Sequence, residues 1–203
     1  MTPKNTPQDP YGTSEAEKEL SRAFKKMPNP VPIYLFSTPG KNDVFSDTAR
    51  KTIQLFGQLS DKIVFHDLSL DHELAEKWKV EHSPTILIDP NHFHIRWLGA
   101  PLGEEGRIFV EALLLAGFRQ NTLEPQALKV IRQIKDNRDI KLFVSFSCPY
   151  CPQQASHALK AAVKRPDLIS LTIIDTQANP DLARQYDAQS VPQTYANEIL
   201  IAL

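Results

Sequence analysis

The two cysteines of the 203-residue chain stand three positions apart, in the run Ser147-Cys148-Pro149-Tyr150-Cys151. A pair with this spacing at the start of a helix can cycle between a dithiol and a disulfide. The helix N-terminus stabilises a thiolate at the first cysteine, and the second lies close enough to close the bond. We therefore predict that Cys148 is the attacking nucleophile and Cys151 the resolving residue. Pro149 is predicted to take the first helical position, where no amide donor is needed.

Two other interpretations of the cysteine pair compete with redox chemistry. A zinc site would need four ligands, and the one nearby imidazole, His157, falls within a predicted helix. An inert buried pair is the other alternative, but chance rarely places both cysteines of a chain at a strand-to-helix junction. The sequence favours a redox pair in a module that needs neither a metal nor a cofactor of its own.

A proline is predicted to face the cysteine turn. Val191 precedes Pro192 at the start of a predicted strand, and the residue before a proline is held extended. A cis bond between them would bring the Val191 backbone beside the sulfurs, where it could pair with an extended segment of a substrate. We predict that cis bond, and we predict that Pro149, Tyr150, Val191 and Pro192 form the substrate-binding surface.

The elements around the cysteines follow from apolar periodicity and turn residues. In the second half we predict helices over 125–135, 152–163 and 180–186 and strands over 142–147, 168–175 and 191–195. In the first half we predict a helix from a capping box at Ser14 to Glu17, helices over 43–59, 73–80 and 107–116, and strands over 31–37, 62–70, 83–88 and 93–98. Gly117 is predicted to end the last of these helices.

The sequence pattern indicates that the same α/β unit occurs in both halves of the chain. The segment DLSLDHELAEKWKVEHSPTIL from Asp67 aligns without a gap on DTQANPDLARQYDAQSVPQTY from Asp175, so that Pro84 matches Pro192. The turn 37–41 lies over the turn 147–151, but it has no sulfur. We predict a disordered N-terminus at 1–13, a unit without redox cysteines at 14–119 that serves as a scaffold or docking surface, and a redox unit at 120–203.

The second unit is expected to be truncated at its C-terminus. After Pro84 the first unit continues through a hairpin and a helix, whereas only 11 residues follow Pro192. An uncovered sheet edge and face would be costly in a finished domain. We expect the second unit to lack its last helix and much of its hairpin, and the native chain to continue past Leu203.

Composition limits the partners. The formal charge is -1 and hydrophobic residues make up 41% of the chain, so no bulk field favours nucleic acid or a membrane surface. The first residues lack a basic region followed by an apolar run. Two cysteines that can cycle suit a reducing compartment. We expect a cytoplasmic protein with no nucleic-acid or membrane partner.

Two segments carry a resemblance to a known family. In order and spacing, RWLGAPLGEEGRIFVEALLLAG at 96–117 and LFVSFSCPYCPQQASHALKAAV at 142–163 resemble the N-terminal tandem thioredoxin-like domain of the alkyl hydroperoxide reductase flavoprotein subunit. That subunit belongs to the thioredoxin-reductase-like family. Protein disulfide oxidoreductases of the archaeal type are similar in architecture, but as a rule they keep cysteines in both units.

The resemblance implies an α/β fold of two tandem thioredoxin-like units and a thiol-disulfide oxidoreductase. Such a module relays electrons from the dithiol of a flavoprotein disulfide reductase, fused or separate, to a peroxiredoxin or another disulfide-bearing protein. FAD and NAD(P)H are implied in that reductase and not in this module. Cys148 and Cys151 match the redox pair of the family.

Two departures from the family pattern keep alternatives open. The motif reads CPYC, which is the glutaredoxin spelling, and no Asp or Glu occurs from Lys141 to Ser147, where relatives often place a carboxylate. The proton carrier is therefore unassigned. A glutaredoxin-like or free-standing protein disulfide oxidoreductase is one alternative, and a non-enzymatic docking module is the other.

Overall fold

The structure is a computed structural model that describes residues 14–120 and 123–202. The predicted disordered segment 1–13 lies outside the described residues. The helices are α1 (Glu15–Lys25), α2 (Asp43–Leu59), α3 (Glu73–Lys77), α4 (Glu104–Phe118), α5 (Pro125–Arg132), α6 (Cys151–Lys164) and α7 (Pro180–Gln185). The strands are β1 (Val31–Ser37), β2 (Ile63–Ser69), β3 (Thr85–Ile88), β4 (His94–Leu98), β5 (Arg138–Val144), β6 (Ile169–Asp175), β7 (Gln193–Ala196) and β8 (Ile199–Ala202).

All eight strands belong to one sheet, in the order β2-β1-β3-β4-β6-β5-β7-β8. In the first half β1 pairs with β2 in parallel and with β3 antiparallel, and β3 pairs with β4 antiparallel. The second half repeats this pattern with β5 to β8. The predicted tandem α/β fold is confirmed. The two halves join where β4 pairs in parallel with β6, so that their sheets merge.

Helices cover both faces of the sheet. On one face α1, α2, α4 and α6 enclose a core that runs through both halves, with Phe24, Ile53, Phe109 and Leu159 contributed by those helices. On the other face α3 and α7 each cover a smaller cluster. The core is continuous across the junction of β4 and β6. Because its side chains are closely packed, the two halves cannot shift independently of each other.

The boundaries of α4 differ from the prediction. The helix runs from Glu104 to Phe118 and ends at Arg119, which has φ +52°, so Gly117 does not terminate it. Gly117 is buried, and a Cβ at this position would lie 2.8 Å from Cγ of Met27. The glycine is needed because α4 passes close to the end of α1. The earlier start adds Glu104 and Glu105 to the helix.

The second half also differs from the prediction at several boundaries. Strand β5 runs from Arg138 to Val144 instead of over 142–147, so the turn before the cysteines is longer. The hairpin that we expected to be mostly missing is present, since β8 pairs antiparallel with β7. Short apolar strands are difficult to predict so close to a chain end because too few residues remain to show a period.

Gly103 precedes α4 and lies against Phe146, in the turn before the cysteines. Replacing Gly103 tests this contact. Its φ is +51°, and a Cβ would lie 2.8 Å from the Phe146 carbonyl oxygen. Gly40 has φ +82° but no atom within 4 Å of a Cβ, which makes it a matched control. We expect Gly103→Ala to lower the free energy of unfolding by roughly 1–3 kcal/mol more than Gly40→Ala, because only Gly103 adds a clash to the backbone cost. Urea unfolding of both variants measures the difference, and equal losses would contradict the contact.

Candidate active site

The cysteine turn lies between the end of β5 and the start of α6. The Cys148 N–H donates to the Ser145 carbonyl over 3.0 Å, which turns the chain back toward the helix. Cys148 and Cys151 are joined by a disulfide, with their Cα atoms 5.5 Å apart. Cys148 is 6% exposed and Cys151 is fully buried. Any partner therefore reaches the disulfide at the Cys148 sulfur.

The first turn of α6 directs an N–H donor at the accessible sulfur. The Cys151 N–H donates to Cys148 Sγ over 3.1 Å. Together with the helix dipole, this donor would stabilise negative charge on Cys148 after reduction. The predicted place of Pro149 is wrong, because α6 begins at Cys151 with Pro152 second, and Pro149 lies exposed in the turn before it. Tyr150 is 73% exposed beside it.

The predicted proline loop faces the disulfide. The Val191–Pro192 peptide bond is cis, as predicted. The Val191 carbonyl oxygen lies 3.5 Å from Cys148 Sγ, and both loop residues are half-buried. The structure thus brings Val191 to the accessible sulfur, and Pro192 follows it into β7. Backbone groups at this position can pair with an extended chain that approaches the sulfur.

The matching turn of the first half is closed by a hydroxyl group. The Ser83–Pro84 bond is also cis, and the Ser83 hydroxyl accepts from the Thr38 N–H (2.9 Å) and donates to the Lys41 carbonyl (3.2 Å). Thr38 and Lys41 hold the positions that correspond to the two cysteines. A hydrogen-bonded serine thus spans the turn where the second half has a disulfide.

A buried acid that the sequence pattern does not predict, Glu105, lies in the first turn of α4. The neighbouring Glu104 N–H donates to the Phe146 carbonyl over 3.3 Å. Six residues after Glu105, Glu111 accepts from the Ser156 hydroxyl over 2.7 Å. The first contact joins the start of α4 to the residues before α6, and the second joins the middle of α4 to the first turns of α6. The two helices therefore run parallel and side by side. Glu105 therefore lies level with the cysteine turn and the first residues of α6.

The environment of Glu105 keeps it uncharged at neutral pH. The side chain is fully buried, and neither carboxyl oxygen has a hydrogen-bond partner among the described residues. Burial, and secondly the negative charge of Asp175, raise the pKa of Glu105 to about 9. A group protonated at pH 7 and level with a disulfide is suited to exchange a proton with a sulfur.

The described part of the chain was found to have neither a possible metal site nor a helix that could cross a membrane. Across 14–120 and 123–202, no three His, Cys, Asp or Glu side chains are grouped so that they could hold a metal ion. None of the helices in these ranges has the length and apolar character needed to cross a bilayer.

The merged sheet, the cis-proline loop and the CxxC disulfide define a thioredoxin-like thiol-disulfide oxidoreductase. A family model described as thioredoxin domain matches residues 138–202. The thioredoxin of Methanocaldococcus jannaschii is 33% identical over 58 residues, which are 29% of this chain and 68% of that protein. The chain belongs to the thioredoxin family.

Longer similarities extend over the first half as well. A protein named NADH dehydrogenase from Ferdinandcohnia aciditolerans is 30% identical over 148 residues, or 68% of this chain. The chain spans only 28% of the length of that relative. The similarity therefore covers both units but leaves most of the longer protein unmatched.

Two solved structures share the tandem arrangement. A protein disulfide oxidoreductase from Aeropyrum pernix K1 has a TM-score of 0.79 and 25% identity, and the match covers 95% of this chain and 87% of that one. The alkylhydroperoxide reductase AhpF from Enterococcus faecalis has a TM-score of 0.81 and 24% identity, with 93% and 91% covered. These likenesses confirm the fold of two thioredoxin-like units that the sequence predicts.

Proposed function

We propose that this chain relays electrons by dithiol-disulfide exchange, from the dithiol of a thioredoxin-reductase-like flavoprotein to a disulfide in another protein such as a peroxiredoxin. The observation that carries the proposal is a disulfide whose accessible sulfur, Cys148, lies beside a backbone carbonyl and an N–H donor. The relative named NADH dehydrogenase and the fold shared with the alkylhydroperoxide reductase AhpF support a flavoprotein source, fused or separate. In that reductase FAD and NAD(P)H would supply the electrons.

Reduction of the module begins at Cys148. A thiolate of the reductase attacks Cys148 Sγ, the bond to Cys151 breaks, and its electron pair moves to the Cys151 sulfur. Glu105 gives its proton to that sulfur, so no free thiolate is left in the core. The second thiol of the reductase then gives its proton to water and attacks its own partner sulfur, which releases Cys148 as a thiolate beside the Cys151 N–H.

The same residues pass the electrons on in reverse order. The Cys148 thiolate attacks the disulfide of the acceptor protein, which forms a mixed disulfide and releases one acceptor thiolate. Cys151 returns its proton to Glu105 and attacks Cys148, which frees the second acceptor thiolate and restores the disulfide. The acceptor strand is proposed to lie along Val191 and Pro192, with Pro149 and Tyr150 at the edge of the contact.

The first unit, residues 14–119, is proposed to act as a scaffold. Its own turn carries Thr38 and Lys41 where the second unit, residues 120–203, carries sulfur. Its contribution to the chemistry is α4, which places Glu105 level with the cysteines.

The relay can be reconstituted from the purified chain. The oxidised chain would be mixed with NADH and a thioredoxin-reductase-like flavoprotein, and free thiols counted by dithiobis-nitrobenzoate. The reduced chain would then be mixed with an oxidised peroxiredoxin. We expect two thiols gained per chain in the first step and two lost in the second. Thiol counts that do not change in either step would contradict the relay.

A glutaredoxin-like activity is distinguished by the second cysteine. Glutathione mixed disulfides can be reduced through one cysteine, whereas the proposed relay needs both. We expect Cys151→Ser to turn over glutathione mixed disulfides at least about tenfold more slowly than the native chain, because the resolving thiol is lost. A coupled assay with glutathione reductase measures this rate. Full turnover by Cys151→Ser would favour the glutaredoxin-like alternative.

A further inference from the structure

The indole ring of Trp97 packs in the core beneath α4, against the helix face that carries Glu105. Phe109 follows Glu105 by one helical turn, so both side chains lie on the same face of α4. The Trp97 ring packs edge-on against Phe109, with 5.6 Å between ring centroids. Trp97 is fully buried, and its Nε1–H has no hydrogen-bond partner among the described residues. The indole N–H is near enough to Glu105 to oppose the effect of burial on its pKa.

A second carboxyl enters the same region from β6. Side chains alternate along a strand, so Asp175 lies on the same face of the sheet as Ile173, which is part of the core beneath α4. Oδ1 of Asp175 accepts from the Gln177 N–H over 2.8 Å, whereas Oδ2 is buried and has no partner in the part of the chain described. Burial raises the pKa of Asp175 above its ordinary value.

Gly99 permits this arrangement. In the parallel pairing of β4 with β6, Leu98 stands opposite Ile174, so Gly99 comes next to Asp175. A Cβ at Gly99 would lie 2.7 Å from Cβ of Asp175 and 3.2 Å from Oδ2. The absence of a side chain at Gly99 leaves the room that the buried Asp175 carboxyl occupies.

The other charged groups near Glu105 are paired elsewhere. On α4 itself, Glu104 pairs with Arg107 at the surface over 3.3 Å. Glu111, six residues after Glu105, pairs with Lys160 of α6 over 3.4 Å. The cysteines of the adjacent turn are joined as a disulfide and carry no charge. Asp175 is therefore the charged group that acts on Glu105 from the sheet, and the Trp97 indole N–H is the polar group that opposes it.

We infer that Asp175 and Trp97 act on Glu105 in opposite directions, Asp175 by holding the proton on Glu105 and Trp97 by favouring the anion that forms when the proton leaves. The inference rests on the proposed function, in which Glu105 exchanges its proton with Cys151. Both are positioning residues, since each is argued to act on the sulfurs only through Glu105. Their balance keeps the acid protonated beside the disulfide but allows it to ionise once a thiolate accepts the proton.

The titration of Glu105 measures this balance without any turnover. The oxidised chain, labelled with carbon-13 at the glutamate carboxyl groups, would be titrated by NMR, and Glu105→Gln would identify the resonance. We expect the midpoint to fall by about one pH unit in Asp175→Asn and to rise by about half a unit in Trp97→Phe. Asp175→Ser, which keeps an acceptor for the Gln177 N–H, replaces the asparagine variant if that one does not fold.

The opposite directions of the two expected shifts of the Glu105 midpoint distinguish this role from a purely structural one. A variant that merely loosened the core would admit water and lower the midpoint in both cases. Shifts in the same direction, or an unmoved midpoint in the Asp175 variant, would overturn the inference. The pH dependence of Cys151 attack in each variant tests the proposed function separately. If the midpoints move as expected but the attack rate keeps its pH profile, the inference stands and the role of Glu105 in exchange is lost.

Discussion

Cys148→Ser is expected to abolish reduction of protein disulfides, with a loss of at least about a thousandfold, since serine cannot act as the attacking sulfur. Cys151→Ser is expected to trap the exchange halfway. Its Cys148 thiolate still attacks the acceptor, but the buried partner that resolves the bond is gone. Insulin reduction by dithiothreitol gives the rate, and non-reducing gels show the trapped mixed disulfide.

The two cysteine variants control for each other because they remove the same disulfide and so alter stability alike. Under the relay, one is inert and the other accumulates a covalent complex with the acceptor. Reduction by Cys148→Ser at the native rate would support a non-enzymatic docking module instead. Mixed disulfides formed by Cys148→Ser rather than by Cys151→Ser would reverse the assigned roles.

Glu105→Gln is expected to stabilise the chain at neutral pH and to slow disulfide exchange. The folded-state pKa of Glu105, about 9, lies above the ordinary value of 4.5, so folding favours the protonated acid. The stability of the native chain is then fully present below pH 4.5 and decreases as pH rises toward about 9. Glutamine lacks this dependence. Relative to the variant, the native chain should lose about 3 kcal/mol between pH 4.5 and pH 7.

Urea unfolding at several pH values measures this difference, and Glu104→Gln is the matched control. Glu104 lies in the same helical turn but pairs with Arg107 at the surface, so its replacement should change stability by less than about 1 kcal/mol. Exchange by Glu105→Gln should be slower by about 10²-fold, the usual contribution of a positioned acid. A pH dependence of stability shared by the native chain and Glu105→Gln would show that Glu105 is not held protonated.

The sequence predicts the sulfur chemistry because its signals are local. Two cysteines three positions apart indicate a turn at the start of a helix. A proline that begins a strand indicates the cis bond before it. The match of Pro84 with Pro192 extends this to the repeat, and both prolines follow cis bonds in the structure. The alignment predicts the duplication, and the resemblance to the alkyl hydroperoxide reductase flavoprotein subunit adds that both units are thioredoxin-like.

The acid at the site could not be predicted in the same way, because it comes from the other half of the chain. No Asp or Glu occurs from Lys141 to Ser147, whereas the merging of β4 with β6 brings Glu105 level with the cysteine turn from α4. Acidic residues in a first helical turn ordinarily face water and complement the dipole. One signal was present, since Glu105 falls on the apolar stripe of Ile108, Phe109 and Ala112.

Gly117 shows why the predicted end of α4 is wrong. A glycine after an apolar helical run usually marks its end, so the pattern predicts a helix over 107–116. The glycine instead accommodates Met27, a contact between residues 90 positions apart. Tertiary packing of this kind leaves no local pattern.

The most direct test of the account is the titration of the Cys148 thiol in the reduced chain. The rate of alkylation by iodoacetamide would be followed against pH, with Cys151→Ser to assign the reactive sulfur. We expect half-maximal reactivity well below the pH of about 8.5 that an ordinary free cysteine requires, because the Cys151 N–H and the start of α6 stabilise the thiolate. A profile that matches free cysteine would contradict the account.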